Sequence, residues 1–320
     1  MKYLKELNGN KGNMREIVIV TAFFAIKREN WSGFNRSNEL YFDYFKGWAS
    51  VKNRLIVYVE SEELKKKIID YRTSLGLEKR TVVVVIPNIM EVDKELFESI
   101  KSCATLVQRR FRLLPNNPES WNPTYNYIML MKQWCAADAI KRGLVDPEEM
   151  LAWIDFGFNH GGGDYSLESN FNFQWEYNFQ DKINVFSTQP LDDRPIFDIV
   201  LSMDTYIMGM VLVGTGKYWE RFRVLVRQSM IELNKSGLMD DDQNIILMAI
   251  RKQPNLFNVK VSSWNTVLYE CGCNHLILVD KNNKKVIRTL KDKIARIIYK
   301  IKVLKYALSI YKYLSDKTIH

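Results

Sequence analysis

Cysteine is scarce in this chain of 320 residues. Cys103, Cys135, Cys271 and Cys273 are too few and too scattered for a secreted disulfide framework, so a reducing compartment is expected. No run of about eighteen apolar residues occurs, which argues against a membrane-spanning helix. Met1 to Met14 is polar and charged and has no apolar centre, so it does not read as a signal peptide. A Gly-x-Ser-x-Gly nucleophile elbow, a Walker phosphate loop and a dinucleotide glycine fingerprint are missing too, as are internal repeats and low-complexity linkers. Asp155-Phe156-Gly157 spells part of a protein-kinase signature, but no glycine-rich loop or His-Arg-Asp loop accompanies it. Cys271-Gly272-Cys273-Asn274-His275 would need a further zinc ligand from elsewhere, and no second Cys or His cluster offers one.

What is present is an ordinary soluble composition, 47% hydrophobic and 26% charged. The length suffices for one large core or two modest ones. The charge is unevenly placed. There are 46 Lys and Arg against 37 Asp and Glu, a balance of +9; twelve of those cations but only three of the acids lie in residues 280–320, so the chain before them is neutral.

Ile17 to Val20 reads as a buried strand running through Thr21-Ala22-Phe23-Phe24 into a loop with Lys27, Arg28, Asn30 and Trp31, residue types suited to phosphate or base recognition. Leu40, Tyr41, Tyr44, Phe45 and Trp48 recur at helical spacing over Asn38 to Val51. A strand over Leu55–Val59, a helix over Leu64–Leu75 and a strand over Thr81–Ile86 follow, an order that predicts parallel pairing. A charged, helical stretch from Glu91 to Leu114 shows no clear site. A helix is expected over Tyr125–Arg142, a loop over Asn159–Asp164 and a pocket-shaping surface from there to Tyr177. Strands are expected over Tyr206–Val213 and Leu256–Val261, with helices from Trp219 and from Asp240 between them. Gly209, inside the first of these runs, marks a place where something approaches the backbone closely.

Two groups of acids stand out. In Leu151-Ala152-Trp153-Ile154-Asp155-Phe156-Gly157, four apolar residues run into one carboxylate, the pattern of a buried parallel strand delivering an acid to its carboxyl end, where α/β ligands bind. The plainer reading is a turn before Gly157. In Asp240-Asp241-Asp242-Gln243, Asp240 is the expected helix cap with Gln243 three residues on. One cap needs one acid, and adjacent carboxylates repel unless they are solvated or used, so Asp241 and Asp242 are candidate catalytic bases.

Thr21-Ala22-Phe23-Phe24 with Arg28 and Asn30-Trp31, the pair Arg72-Thr73, Asn117-Pro118 with Trp121, Pro123-x-Tyr125-Asn126, Lys132, the Trp153 to Gly157 segment and the acidic triplet together resemble the bacterial HtrL/YibB family, also called WlaTC/HtrL, over about Ile17 to Asn258. The family is regarded as glycosyltransferase-like, and its members sit in surface-polysaccharide gene clusters. The resemblance implies an α/β, GT-A-like nucleotide-sugar fold with a mainly parallel central sheet. Its implied donor-binding residues are Thr21, Ala22, Phe23, Arg28, Arg72, Asn126, Lys132, Asp155 and Gly157. It also implies a Mn²⁺ or Mg²⁺ ion on Asp155. Glycine stands at 157 where such enzymes carry a second acid, which leaves His160, Asp164 and His275 as further candidate ligands.

The expected protein is therefore a domain over 1–279 and a basic amphipathic helical tail over 280–320. It would transfer a hexosyl group, galactose-type by weak preference, from a UDP-sugar donor to a lipid-linked surface polysaccharide such as lipopolysaccharide or capsule. A non-catalytic nucleotide-sugar or glycan-binding module and a sugar phosphotransferase are the alternatives. In the tail Ile287, Leu290, Ile294, Ile297, Ile298, Ile301, Leu304, Leu308 and Tyr311 recur at helical spacing among Lys and Arg, a pattern for an anionic membrane surface. The tail's aromatics lie mostly on the apolar stripe, so no nucleic acid is expected. The place implied is cytoplasmic, peripheral on the inner face of the cytoplasmic membrane.

Overall fold

The computed structural model describes residues 16–279 and, beyond them, 293, 294, 297–305 and 308. Its centre is a sheet of seven strands among the described residues: β1 Ile17–Phe23, β2 Leu55–Val59, β3 Thr81–Val85, β4 Met150–Ile154, β5 Ile183–Ser187, β6 Val211–Thr215 and β7 Phe257–Val261. They lie in the order β3-β2-β1-β4-β6-β5-β7. The predicted strand-helix-strand half is parallel: β1 pairs with β2 and with β4, and β2 pairs with β3. On the far side β6 runs antiparallel to β4 and β5, while β7 is parallel to β5. The sheet is thus mostly parallel, with one reversed strand that hydrophobic patterning does not show.

Alternation along β1 divides the core into two layers. Val18 and Val20 face the layer built with α5 Pro123–Lys141, α7 Trp219–Lys235 and α8 Asp242–Lys252; Ile17 and Ile19 face the layer built with α1 Asn38–Lys46 and α2 Glu62–Ser74. Helix α5 is buried on nearly every side because it touches β1 and β4 as well as α7 and α3 Lys94–Ser102, which the short α4 Leu106–Arg110 follows. A helix enclosed this way needs no polar face. A polar residue in its middle, such as Lys132, must find partners inside the protein.

Two expectations change here. The aromatic stretch after Asp164 is core, not pocket wall: Phe171 and Trp175 are 4% and 2% exposed, and the Trp175 backbone N–H donates to Asn53 Oδ1. The apolar run before β6 becomes a strand only at Val211, so Gly209 precedes it. Strand β5 and helix α6 Ile196–Ser202 occupy a region for which the patterning offered no element. In the tail, residues 297–305 are helical. The described stripe residues Ile294, Ile297, Ile298, Ile301, Leu304 and Leu308 are 49% to 61% exposed. Ile287, Leu290 and Tyr311 lie outside the described residues.

Candidate functional site

From β1 the chain departs toward β2, whereas β4 has its next neighbour on the opposite side, so the carboxyl ends of β1 and β4 flank a switch in strand order. Open α/β sheets form ligand crevices at such points. A cavity of about 710 Å³ lies there, walled by Phe23 and Phe24 at the end of β1, Asp155 and Gly157 after β4, and the α5 residues Tyr125 and Lys132. The reversal of β6 matters at this end. Its first residues start where β4 finishes, and Asp155 donates its backbone N–H to Met210 O at 3.0 Å. Gly209 is therefore brought to the floor of the cavity.

Lys132 occupies the centre of that floor. Its ammonium is 3.0 Å from Asp155 Oδ1 and 3.0 Å from Asp242 Oδ2, and it donates to Gly209 O at 3.0 Å. The Lys132 and Asp242 side chains are 4% and 2% exposed, whereas Asp155 is 34% exposed. Burial disfavours charge on Lys132, but the two carboxylates outweigh it and hold the pKa above the ordinary lysine value. Burial pushes the Asp242 carboxyl up despite Lys132, and Asp155 adds to the rise. Asp155 also accepts from Trp153 Nε1 at 2.7 Å. The close backbone approach expected at Gly209 is made by Asp242: a Cβ on Gly209 would lie 2.0 Å from Asp242 Oδ2.

The acidic triplet divides into three roles. Asp241, not Asp240, caps α8, accepting from the Gln243 backbone N–H at 3.1 Å. Asp240 is claimed by a buried arginine from outside the expected pattern: Arg112 donates to Asp240 Oδ1 at 3.1 Å and also bonds Met239 O. Asp242 alone of the three lines the cavity. Burial, together with Asp240, Asp242 and Glu119, raises the Asp241 carboxyl well above its ordinary pKa. Such a group contributes stability while protonated and loses it as pH rises. Asp241→Asn caps about equally well and carries no charge, so it should stabilise the protein at pH 7 by on the order of 1 kcal/mol. The gain should shrink toward pH 4. Urea melts at both pH values check this, and an equal or lower stability of the amide variant at pH 7 would count against it.

The opposite wall is cationic and aromatic. Arg28 donates from Nη1 to Tyr41 Oη at 2.5 Å and from Nε to Phe34 O at 3.1 Å. Its guanidinium lies 5.4 to 5.9 Å from the ring centres of Trp31, Tyr41 and Tyr125. Arg36, which sequence reasoning missed, sits 5.9 Å from the Tyr41 ring centre with Nη1 3.2 Å from His160 Nε2. His160 arrives through a left-handed turn in which Asn159, His160, Gly161 and Gly162 all have positive φ. Two non-glycine residues in that region cost roughly 1–3 kcal/mol each. The Asn159 side chain secures the turn, donating to Tyr165 O and accepting from the backbone N–H groups of Asp164 and Tyr165. Burial and the neighbouring Arg36 lower the His160 pKa, so its neutral ring is favoured.

Of the residues expected at the site, Ala22, Phe23, Arg28, Lys132, Asp155, Gly157, His160, Asp164 and Asp242 line the cavity. Thr21, Asn126, Asp241, Arg72 and His275 do not. Thr21 is fully buried in β1, and Asn126 Nδ2 donates to Glu119 O at 2.9 Å. Arg72 is fully buried and donates to the carbonyls of Ala49, Val51 and Asn53, tying down the segment before β2. His275 packs against the Phe173 ring, 4.4 Å between centres. The donor set does not match a divalent ion. No three His, Cys, Asp or Glu converge among the described residues, and Asp155 Oδ1 is already shared by Lys132 and Trp153.

Sheet and cleft together define an α/β protein with a crevice of mixed polar and apolar lining at the carboxyl ends of its central strands. The chain belongs to the HtrL/YibB family: residues 15–271 match the family described as "Bacterial protein of unknown function (HtrL_YibB)". It is also 31% identical over 260 residues to Protein HtrL of Escherichia coli (strain K12), covering 75% of this chain and 86% of that protein.

Proposed function

We propose that this protein is a glycosyltransferase of GT-A-like architecture that moves a hexosyl group from a UDP-sugar to a lipid-linked surface glycan. The observation that carries the reading is the 710 Å³ crevice at the β1/β4 switch, with Asp155 partly open on a buried floor of Lys132 and Asp242. Its size suits a nucleotide sugar. Its acids suit hydroxyl recognition and proton removal. In the reaction an acceptor oxygen bonds to the anomeric carbon, the bond from that carbon to the diphosphate breaks, and the acceptor proton passes to a carboxylate. Asp155 is the base assigned here for an inverting transfer, because it is the carboxylate of the floor that opens to the cavity, while Asp242 is sealed beneath Lys132. The test is UDP release from a panel of UDP-sugars by the full chain with a membrane-lipid acceptor fraction. Release above that of Asp155→Asn supports the reading. UDP-sugars that bind without turnover would favour the glycan-binding module, and ATP-dependent sugar phosphorylation the phosphotransferase.

The tail belongs to the same proposal, since a lipid-linked acceptor diffuses only in a bilayer. Its exposed isoleucine and leucine stripe would enter the interface while the lysines meet anionic lipid, each worth about 1 kcal/mol at such a surface. No helix among the described residues is long and apolar enough to cross a membrane. The full chain should sediment with phosphatidylglycerol vesicles at low salt and less at high salt, and a chain ending at Val279 should stay in solution. Equal sedimentation of the two would remove the tail from the proposal.

A further inference from the structure

We infer that the crevice holds the diphosphate of its ligand with Arg28 and Arg36, without a divalent cation, and keeps the open oxygen of Asp155 for a hydroxyl group. This rests on the reading of the ligand as a nucleotide sugar, and it reverses the charge logic in which Asp155 carries a metal. The floor is electrically occupied. Lys132 stands 3.0 Å from both carboxylates, so a dication drawn to Asp155 Oδ1 would meet an ammonium already bound to that atom. Like charges at such separation repel strongly where water is excluded. The remaining carboxylate oxygen of Asp155 is an acceptor without a phosphate's charge complement, which suits a sugar or acceptor hydroxyl.

The cationic wall has the opposite character. Among the described residues neither Arg28 nor Arg36 forms an ion pair with a carboxylate, whereas Arg54, Arg80, Arg112, Arg194 and Arg227 each do. Both are nevertheless held in place. Tyr41 accepts from Arg28 and presents its ring to both guanidinium groups, and Arg36 Nη1 meets His160 Nε2. Preset guanidinium forks match phosphate oxygens in geometry and charge. The turn at His160 fits this assignment, because it brings the ring Nε2 to Arg36 Nη1 and holds the guanidinium in place without a carboxylate to cancel its charge.

The experiment is titration calorimetry of the full chain with inorganic pyrophosphate and with UDP, in EDTA and in Mn²⁺. Both should bind in EDTA, with Kd changed less than about threefold by Mn²⁺. Arg28→Gln with Arg36→Gln should weaken both ligands by at least about a hundredfold, tenfold for each lost charge-assisted contact, while near-UV circular dichroism shows the fold retained. Asp155→Asn should bind pyrophosphate in EDTA as well as or more tightly than the parent, since it removes a negative charge. Binding that requires Mn²⁺, absence of pyrophosphate binding, full affinity in the arginine double variant, or loss of affinity in Asp155→Asn would each overturn the inference. The transferase reading fails separately: metal-free UDP binding with no turnover of any UDP-sugar sinks that reading alone, whereas turnover that appears only with Mn²⁺ sinks the inference alone.

Discussion

Lys132→Met should lose about 3–5 kcal/mol of stability, the range for removing one partner of a buried ion pair. The methionine fills similar space, so packing loss is small, and the cost is electrostatic. Asp242, 2% exposed, would face Asp155 with no cation between them, and Gly209 O would lose its donor. Adding Asp242→Asn removes the stranded charge, so the double variant should be more stable than the sum of the single losses by about 1–3 kcal/mol. Urea denaturation of the four proteins at pH 7 measures this. Additive losses would show that Lys132 and Asp242 do not act as a pair. The same geometry limits what Lys132 can do chemically. An ammonium whose pKa is held up by two carboxylates stays charged at neutral pH, so it is a fixed cation and not a nucleophile or a base.

Asp155 was legible because a buried strand can tolerate a carboxylate only where it emerges, and four apolar residues ending in one acid mark that point. Lys132 was legible only through the resemblance, since a lysine in an otherwise apolar helix carries no sign of its partners. The partners come from just after β4, the next element along, and from α8, more than a hundred residues later. Arg72 shows the converse error. An arginine that gathers loop carbonyls and one that meets a ligand have the same sequence, and only burial tells them apart. The capping residue was misplaced by one position because Arg112, more than a hundred residues earlier, claims Asp240 and leaves Asp241 to the helix. Strand β5 is five residues between polar segments, too short for a period to show, and the direction of β6 is set by pairing, not by its own pattern. Arg36 escaped because its importance comes from Tyr41 and from a left-handed turn beginning more than a hundred residues later.

Under the proposed transfer reaction, Asp155→Asn should reduce UDP-sugar turnover by at least about a hundredfold while changing stability by less than about 1 kcal/mol. The stability effect is small for three reasons. The side chain is 34% exposed, the amide oxygen can still accept from Trp153 Nε1, and Lys132 keeps Asp242 as its counter-ion. The loss of turnover follows from the position of the group. Asp155 is the partly open carboxylate on a floor where Asp242 is sealed under Lys132, so a substrate hydroxyl reaches Asp155 first. An amide accepts a weaker hydrogen bond and cannot share the developing positive charge of the transferring sugar. The comparison that decides is steady-state kinetics beside a urea melt for the same preparation. Parent-like turnover would remove Asp155 from the reaction and return it to a turn-forming role after β4; a large fall in stability matching the fall in turnover would do the same by showing that the residue serves the fold.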